Sequence, residues 1–112
     1  MIRSVKLLLA LAVLFATCGI ASAQPYPSAP VRLIVGYAPG GTPDVIARAI
    51  GQRLSQALGQ QFVVDNTPGA GGLVSTQTVA KAKPDGYTLL VADIGQLAIS
   101  PFMFKQPGFD LL

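Results

Sequence analysis

Histidine and glutamate are absent from all 112 residues, and the one cysteine is Cys18. Without histidine, imidazole acid–base chemistry and the usual zinc sites are excluded. Charge is also scarce: eight Lys and Arg stand against five acidic residues, a formal balance of +3. Part of that excess belongs to the extreme N-terminus, where Arg3 and Lys6 precede the apolar run "LLLALAVLFATCGIASAQ". The run falls short of the ~20 residues a membrane-spanning helix needs. It ends in Ala21-Ser22-Ala23, so the layout is that of a secretory signal peptide with cleavage expected after Ala23.

Cys18 leaves with such a leader, because Phe15-Ala16-Thr17 before it fit a lipid-attachment site poorly. The mature chain then has neither disulfide nor thiolate chemistry. From Gln24 onward Arg32, Arg48, Arg53, Lys81, Lys83 and Lys105 face Asp44, Asp65, Asp85, Asp93 and Asp110, a balance of +1 with no basic patch. Nucleic-acid binding loses its electrostatic footing, and the expectation is no nucleic-acid partner. The 89 residues that remain make one small domain at most.

What is present is glycine and proline in organised places. "QPYPSAP" reads as an extended lead-in. "VRLIVGY" is a β-branched run suited to a strand buried on both faces of a parallel sheet. After Pro39-Gly40-Gly41, Thr42 is the expected N-cap, with Pro43 at the first helical position and Asp44 in the first turn. Ile46, Ala49, Ile50, Arg53, Leu54, Ala57 and Leu58 follow at three- and four-residue steps as one apolar stripe broken by Arg53, and Gly59 closes the helix. "QFVVDN", "TPGAGG" and "LVSTQTVAKA" repeat the strand, glycine break and helix. The turn at Lys83-Pro84-Asp85-Gly86 leads to a third strand, "YTLLVAD", with a loop or short helix after it. The order β-α-β-α-β predicts an α/β fold, a parallel sheet with flanking helices.

Both glycine loops, and Asp93-Ile94-Gly95 after the third strand, fall at strand carboxyl ends, where ligands of open parallel sheets sit. A glycine loop lets a ligand approach the backbone, and the N–H groups of a helix start attract anions. "PGGTPDVIAR" lacks the lysine of a phosphate-binding P-loop, and "GAGGLV" carries Val74 where a dinucleotide fingerprint needs its last glycine. A carboxylate therefore suits these amides better than a nucleotide. Ser28, Ser55, Ser75 and Ser100 have no histidine to activate them, and none lies in a nucleophile-elbow context, so catalysis is not expected.

"YPSAPVRLIV", "PGGTPD", "LGQQFVVDNTPGAGG" and "AKPDGYTLL", in this order and spacing, resemble the start of the Bug-type periplasmic solute receptors, the TctC-like binding proteins of tripartite tricarboxylate transporters. The resemblance implies a two-lobed α/β receptor closing on a small carboxylate, without cofactor, metal or catalysis, with membrane components of a tripartite transporter as partners. It marks Tyr37, Ala38, Gly40, Gly41, Thr42 and Asp44 in the first loop as ligand-binding positions. Asn66, Ala70, Gly71 and Gly72 follow in the second, and Asp93 and Ile94 in the third. Residues 24–112 correspond to the N-terminal part of the first lobe, with the second lobe absent. Two alternative readings accompany this one: a non-functional truncation product, and a fragment of a nucleotide-binding enzyme.

Overall fold

The computed structural model describes residues 23–104; all but the last residue of the leader expected over residues 1–23 and the segment from Lys105 onward, with Phe109, lie outside them. Three short apolar runs form strands: β1, Val31–Val35; β2, Phe62–Asn66; and β3, Thr88–Val91. They make one parallel sheet in the order β2-β1-β3, with Leu33 opposite Val64 on one side and Leu89 on the other. Helix α1 spans Thr42–Leu58, α2 Leu73–Ala80 and α3 Ser100–Met103. A 3-10 turn, Ala70–Gly72, precedes α2, and a π-helical turn, Gly95–Ile99, precedes α3. The α/β reading of the sequence is the observed fold.

The chain passes from β1 outward to β2, then crosses back over β1 to β3, so the direction of winding reverses between β1 and β3. Right-handed crossovers in opposite directions place their helices on opposite faces of the sheet. On one face α1 covers Val31, Leu33 and Phe62, all buried, with Leu54 and Val64 packed against them. Burying side chains of this size contributes on the order of 2 kcal/mol each. On the other face α2 lies over the end of β1, where Ser75 comes close to Gly36.

Two expectations about α1 need correction. The apolar stripe supplies its inward face only through Leu54: Ile46, Ile50 and Leu58 are exposed, whereas Asp44, Ala47 and Gly51 are buried. Small residues let the helix come close to the strands, and a Cβ on Gly51 would already lie 3.2 Å from Leu33 Cδ1. Thr42 is the first helical residue and not the cap; Gly41 holds the N-cap place, in extended backbone and without a side-chain capping bond. The C-terminal end is as expected, with Gly59 left-handed and its N–H donating to the Ser55 carbonyl.

The proline-rich lead-in is more tied down than its composition suggests. Tyr26 packs edge-on against Tyr87, ring centres 5.3 Å apart, and donates its hydroxyl to the Gly86 carbonyl at 2.6 Å. The Ser28 N–H donates to the Tyr87 hydroxyl, so both tyrosines fasten the chain to the turn before β3.

Candidate functional site

The reversal between β1 and β3 opens a crevice beyond their carboxyl ends, the place where open α/β sheets hold ligands. Its volume is about 420 Å³, and its walls include Tyr37, Gly41, Thr42, Ile46, Val91 and Asp93. Pro43 and Ala92 complete a mostly apolar lining. A second depression, about 460 Å³, lies between α1 and the outer edge of β2 around Arg48, Gln52 and Gln61. Volume does not separate the two, but position does, because only the first is faced by the start of a long helix. The first turn of α1 leaves its leading N–H groups without partners inside the helix, and Gly41 and Thr42 stand at that end.

The loop that carries them is braced from below by Asp44. One oxygen of this buried carboxylate accepts from the Gly40 N–H at 2.9 Å and from Arg48 Nε at 3.0 Å, and the other from Asn66 Nδ2 at 3.0 Å. Asn66 Nδ2 also donates to the Tyr37 carbonyl, and Arg48 donates to Asn66 Oδ1. Asp44 and Asn66, both expected at the ligand, are thus engaged with the protein, joining the end of β2 to the loop after β1.

Arg48, then the Gly40 N–H and the Asn66 amide, hold the Asp44 carboxyl down at about 2, from an ordinary value near 3.8. A carboxyl lowered on folding contributes stability above its unfolded value, and that contribution is lost as the pH falls through the folded one. Resistance to urea therefore drops between pH 4 and pH 2, and the drop is shallower in Asp44→Asn; equal slopes for parent and variant would contradict this bracing role.

At the opposite wall the Tyr37 hydroxyl donates to Asp93 Oδ1 at 3.0 Å. The same oxygen accepts from the Gln96 N–H at 2.8 Å, so Asp93 also caps the π-helical turn. Hydrogen bonds from Gln96 and Tyr37 keep the Asp93 carboxyl below the usual range, while burial, followed by the bond to Asp93 and its charge, raises the Tyr37 phenol.

The second glycine loop is held elsewhere. Ala70, Gly71 and Gly72 run with positive φ of 46°, 62° and 86°. Gly72 is buried, and its carbonyl accepts from Ser75, Thr76 and Gln96 Nε2. Gln96 Nε2 also reaches Ser75 Oγ and Thr76 Oγ1 at 2.9 and 2.7 Å, and the Ser100 hydroxyl donates to the Gly71 carbonyl. Tyr37, Gly41, Thr42 and Asp93 of the expected positions share the crevice, whereas Ala38, Gly40, Ala70, Gly71, Gly72 and Ile94 are not among its walls.

Sequence reasoning missed Gln96, the joint between two loops, and the apolar walls Ile46 and Val91. A glutamine set in the apolar run "IGQLAI" was the one available signal for the former. Among the described residues no group of three His, Cys, Asp or Glu side chains stands ready to hold a metal, and no helix is long and apolar enough to cross a membrane.

Comparison with known proteins gives consistent matches. The family model described as tripartite tricarboxylate transporter family receptor matches residues 46–111. A UPF0065 protein of Bordetella bronchiseptica is 47% identical over 104 residues, covering 93% of this chain and 31% of that protein. Among solved structures, the periplasmic binding protein BugD aligns with TM-score 0.72 and 40% identity over 76% of this chain and 28% of its own. MatC of Rhodopseudomonas palustris, solved with bound malate, aligns with TM-score 0.70 and 34% identity over 75% of this chain and 29% of its own. The chain therefore spans about a third of the length of the relatives it matches.

Proposed function

The chain belongs to the tripartite tricarboxylate transporter receptor family, and from that premise we propose that it forms the N-terminal part of the first lobe of a periplasmic receptor that holds a small carboxylate. Receptors of this family serve transport and are not enzymes. The carboxylate sits in the crevice between the ends of β1 and β3, accepting hydrogen bonds from the Gly41 and Thr42 N–H groups. The observation that carries the reading is the placing of a long helix's first turn, opened by a glycine, in the wall of that crevice.

The chemistry agrees. Main-chain N–H groups at a helix start attract an anion without a positive side chain, and among the described residues no Lys or Arg lines the crevice. Asp44 has all its described partners inside the protein, and in this reading it fixes the loop and leaves contact with the ligand to the backbone. Asn66 has the same task, and Gly72 anchors the second loop to Gln96. The leader is removed after Ala23, the receptor acts in the periplasm, and its partners are the membrane components of a tripartite transporter.

The test is thermal unfolding of the receptor carrying this chain, with separate panels of carboxylates and nucleotides. A ligand that binds only the folded form stabilises it by mass action, by about 2.7 kcal/mol at a hundred times its Kd. The expected result is a melt raised by carboxylates and unmoved by nucleotides; a rise with nucleotides alone would overturn the receptor reading.

A further inference from the structure

The crevice has an unusual charge balance for a site that receives an anion. Among the described residues its walls carry one charged group, the carboxylate of Asp93. Both ion pairs among the described residues lie elsewhere, Arg32 with Asp65 and Arg48 with Asp44. The described partners of Asp93 are neutral donors, the Tyr37 hydroxyl and the Gln96 and Gly95 N–H groups, so its negative charge stays at the crevice wall. The same walls carry apolar surface from Pro43, Ile46 and Val91, and Ile46 is 48% exposed although it sits in the first helical turns.

Two consequences follow from elementary electrostatics and desolvation. Helix-end N–H groups partly offset the charge of one carboxylate, but a second carboxylate beside the first would stand against the like charge of Asp93. An apolar wall rewards hydrocarbon and penalises a charged group that gives up water there. We infer that this crevice selects a single carboxylate carried on an apolar stem, and that Asp93 is the specificity-determining residue that turns away a second carboxylate placed next to the first. The inference rests on the receptor reading above and sharpens it from carboxylates in general to one charge at this end of the ligand.

Asp93 also has a capping role, and the two roles separate cleanly. Asparagine caps as well as aspartate, and its carbonyl oxygen can accept from both Tyr37 and Gln96. Asp93→Asn therefore removes the charge and keeps the hydrogen bonds in neutral form, and its melting temperature should fall only modestly below the parent's. The probes are hexanoate and butylmalonate, which share a four-carbon apolar stem and differ by a second carboxylate on the same carbon, with adipate and citrate as further ligands.

Titration calorimetry of the receptor carrying this chain is expected to show hexanoate binding more tightly than butylmalonate. Asp93→Asn should narrow that ratio by about three- to tenfold, the effect of one like charge several ångströms away in a partly hydrated site. Butylmalonate binding as tightly as hexanoate, or a ratio that Asp93→Asn leaves unmoved, would overturn the inference. Binding of adipate or citrate with neither probe bound would also overturn it and leave the receptor reading standing. Binding of none of the four would remove both.

Discussion

Alanine in place of Gly72 lowers folding stability by about 3–5 kcal/mol, while alanine in place of Gly40 costs only about 1 kcal/mol. Both glycines have left-handed backbone, φ +86° and +89°, so the conformational cost is the same for each. Their surroundings differ. A Cβ on Gly72 would lie 2.5 Å from Gln96 Cγ and Cδ and 2.7 Å from Oε1, whereas Gly40 has no atom within 4 Å of that place. Gln96 has no exposure and cannot swing aside, because its amide is held by Gly72, Ser75 and Thr76. Urea unfolding of the two variants checks the contrast. Equal losses would mean that the second glycine loop is not packed on Gln96 as described.

The second large effect concerns Gln96 itself. Its Nε2 faces three acceptors, the Gly72 carbonyl and the Ser75 and Thr76 hydroxyl oxygens, and both hydroxyls already donate to the Gly72 carbonyl. Gln96→Glu replaces that donor with an oxygen. An ionised carboxylate there is buried against acceptors, and satisfying it with the hydroxyls would strip the Gly72 carbonyl of its donors. The cost at pH 7 is at least ~3 kcal/mol, the scale of an unpaired buried charge.

Burial raises the introduced carboxyl's pKa on folding, so the loss is full at neutral pH and shrinks as the pH falls toward the unfolded value, about 4.3. Gln96→Met keeps the volume, loses the hydrogen bonds and costs about 1–2 kcal/mol at any pH. Denaturation measured at pH 7 and pH 4.5 separates the variants; a Gln96→Glu protein as stable as its parent at pH 7 would contradict the arrangement.

Much of the fold was legible because its signals are local. The β-branched runs of β1 to β3, the Pro-Gly-Gly break and Gly59 each fix structure within a few residues. The apolar stripe of α1 is a poor guide to its inward face for a physical reason: apolar bulk marks Ile46 and Ile50, but close approach to the sheet selects the small Ala47 and Gly51. Gln96 was hidden because its burial depends on partners 20 to 24 residues away. The lead-in reaches further still, Tyr26 meeting Gly86 across 60 residues. Asp44 was recognised as important, but helix-start chemistry alone does not reveal that Gly40, Arg48 and Asn66 occupy its oxygens.

The central claim is that a carboxylate is held by the backbone at Gly41 and Thr42. Gly41 allows a clean test, because its φ of −74° suits any residue and a Cβ there meets nothing closer than the Ala38 carbonyl at 3.6 Å. Gly41→Val should therefore fold normally while its side chain crowds the helix-start amides. The measurement is titration calorimetry of the parent receptor and Gly41→Val with the carboxylate that most raises the parent's melt. A Kd weakened by at least about thirtyfold, roughly the ~2 kcal/mol of a lost charged hydrogen bond, with the free protein still folded and its melting temperature lowered only by the modest cost of valine at an N-cap, is the predicted result. An unchanged Kd would show that the ligand does not rest on this backbone, and would contradict the account.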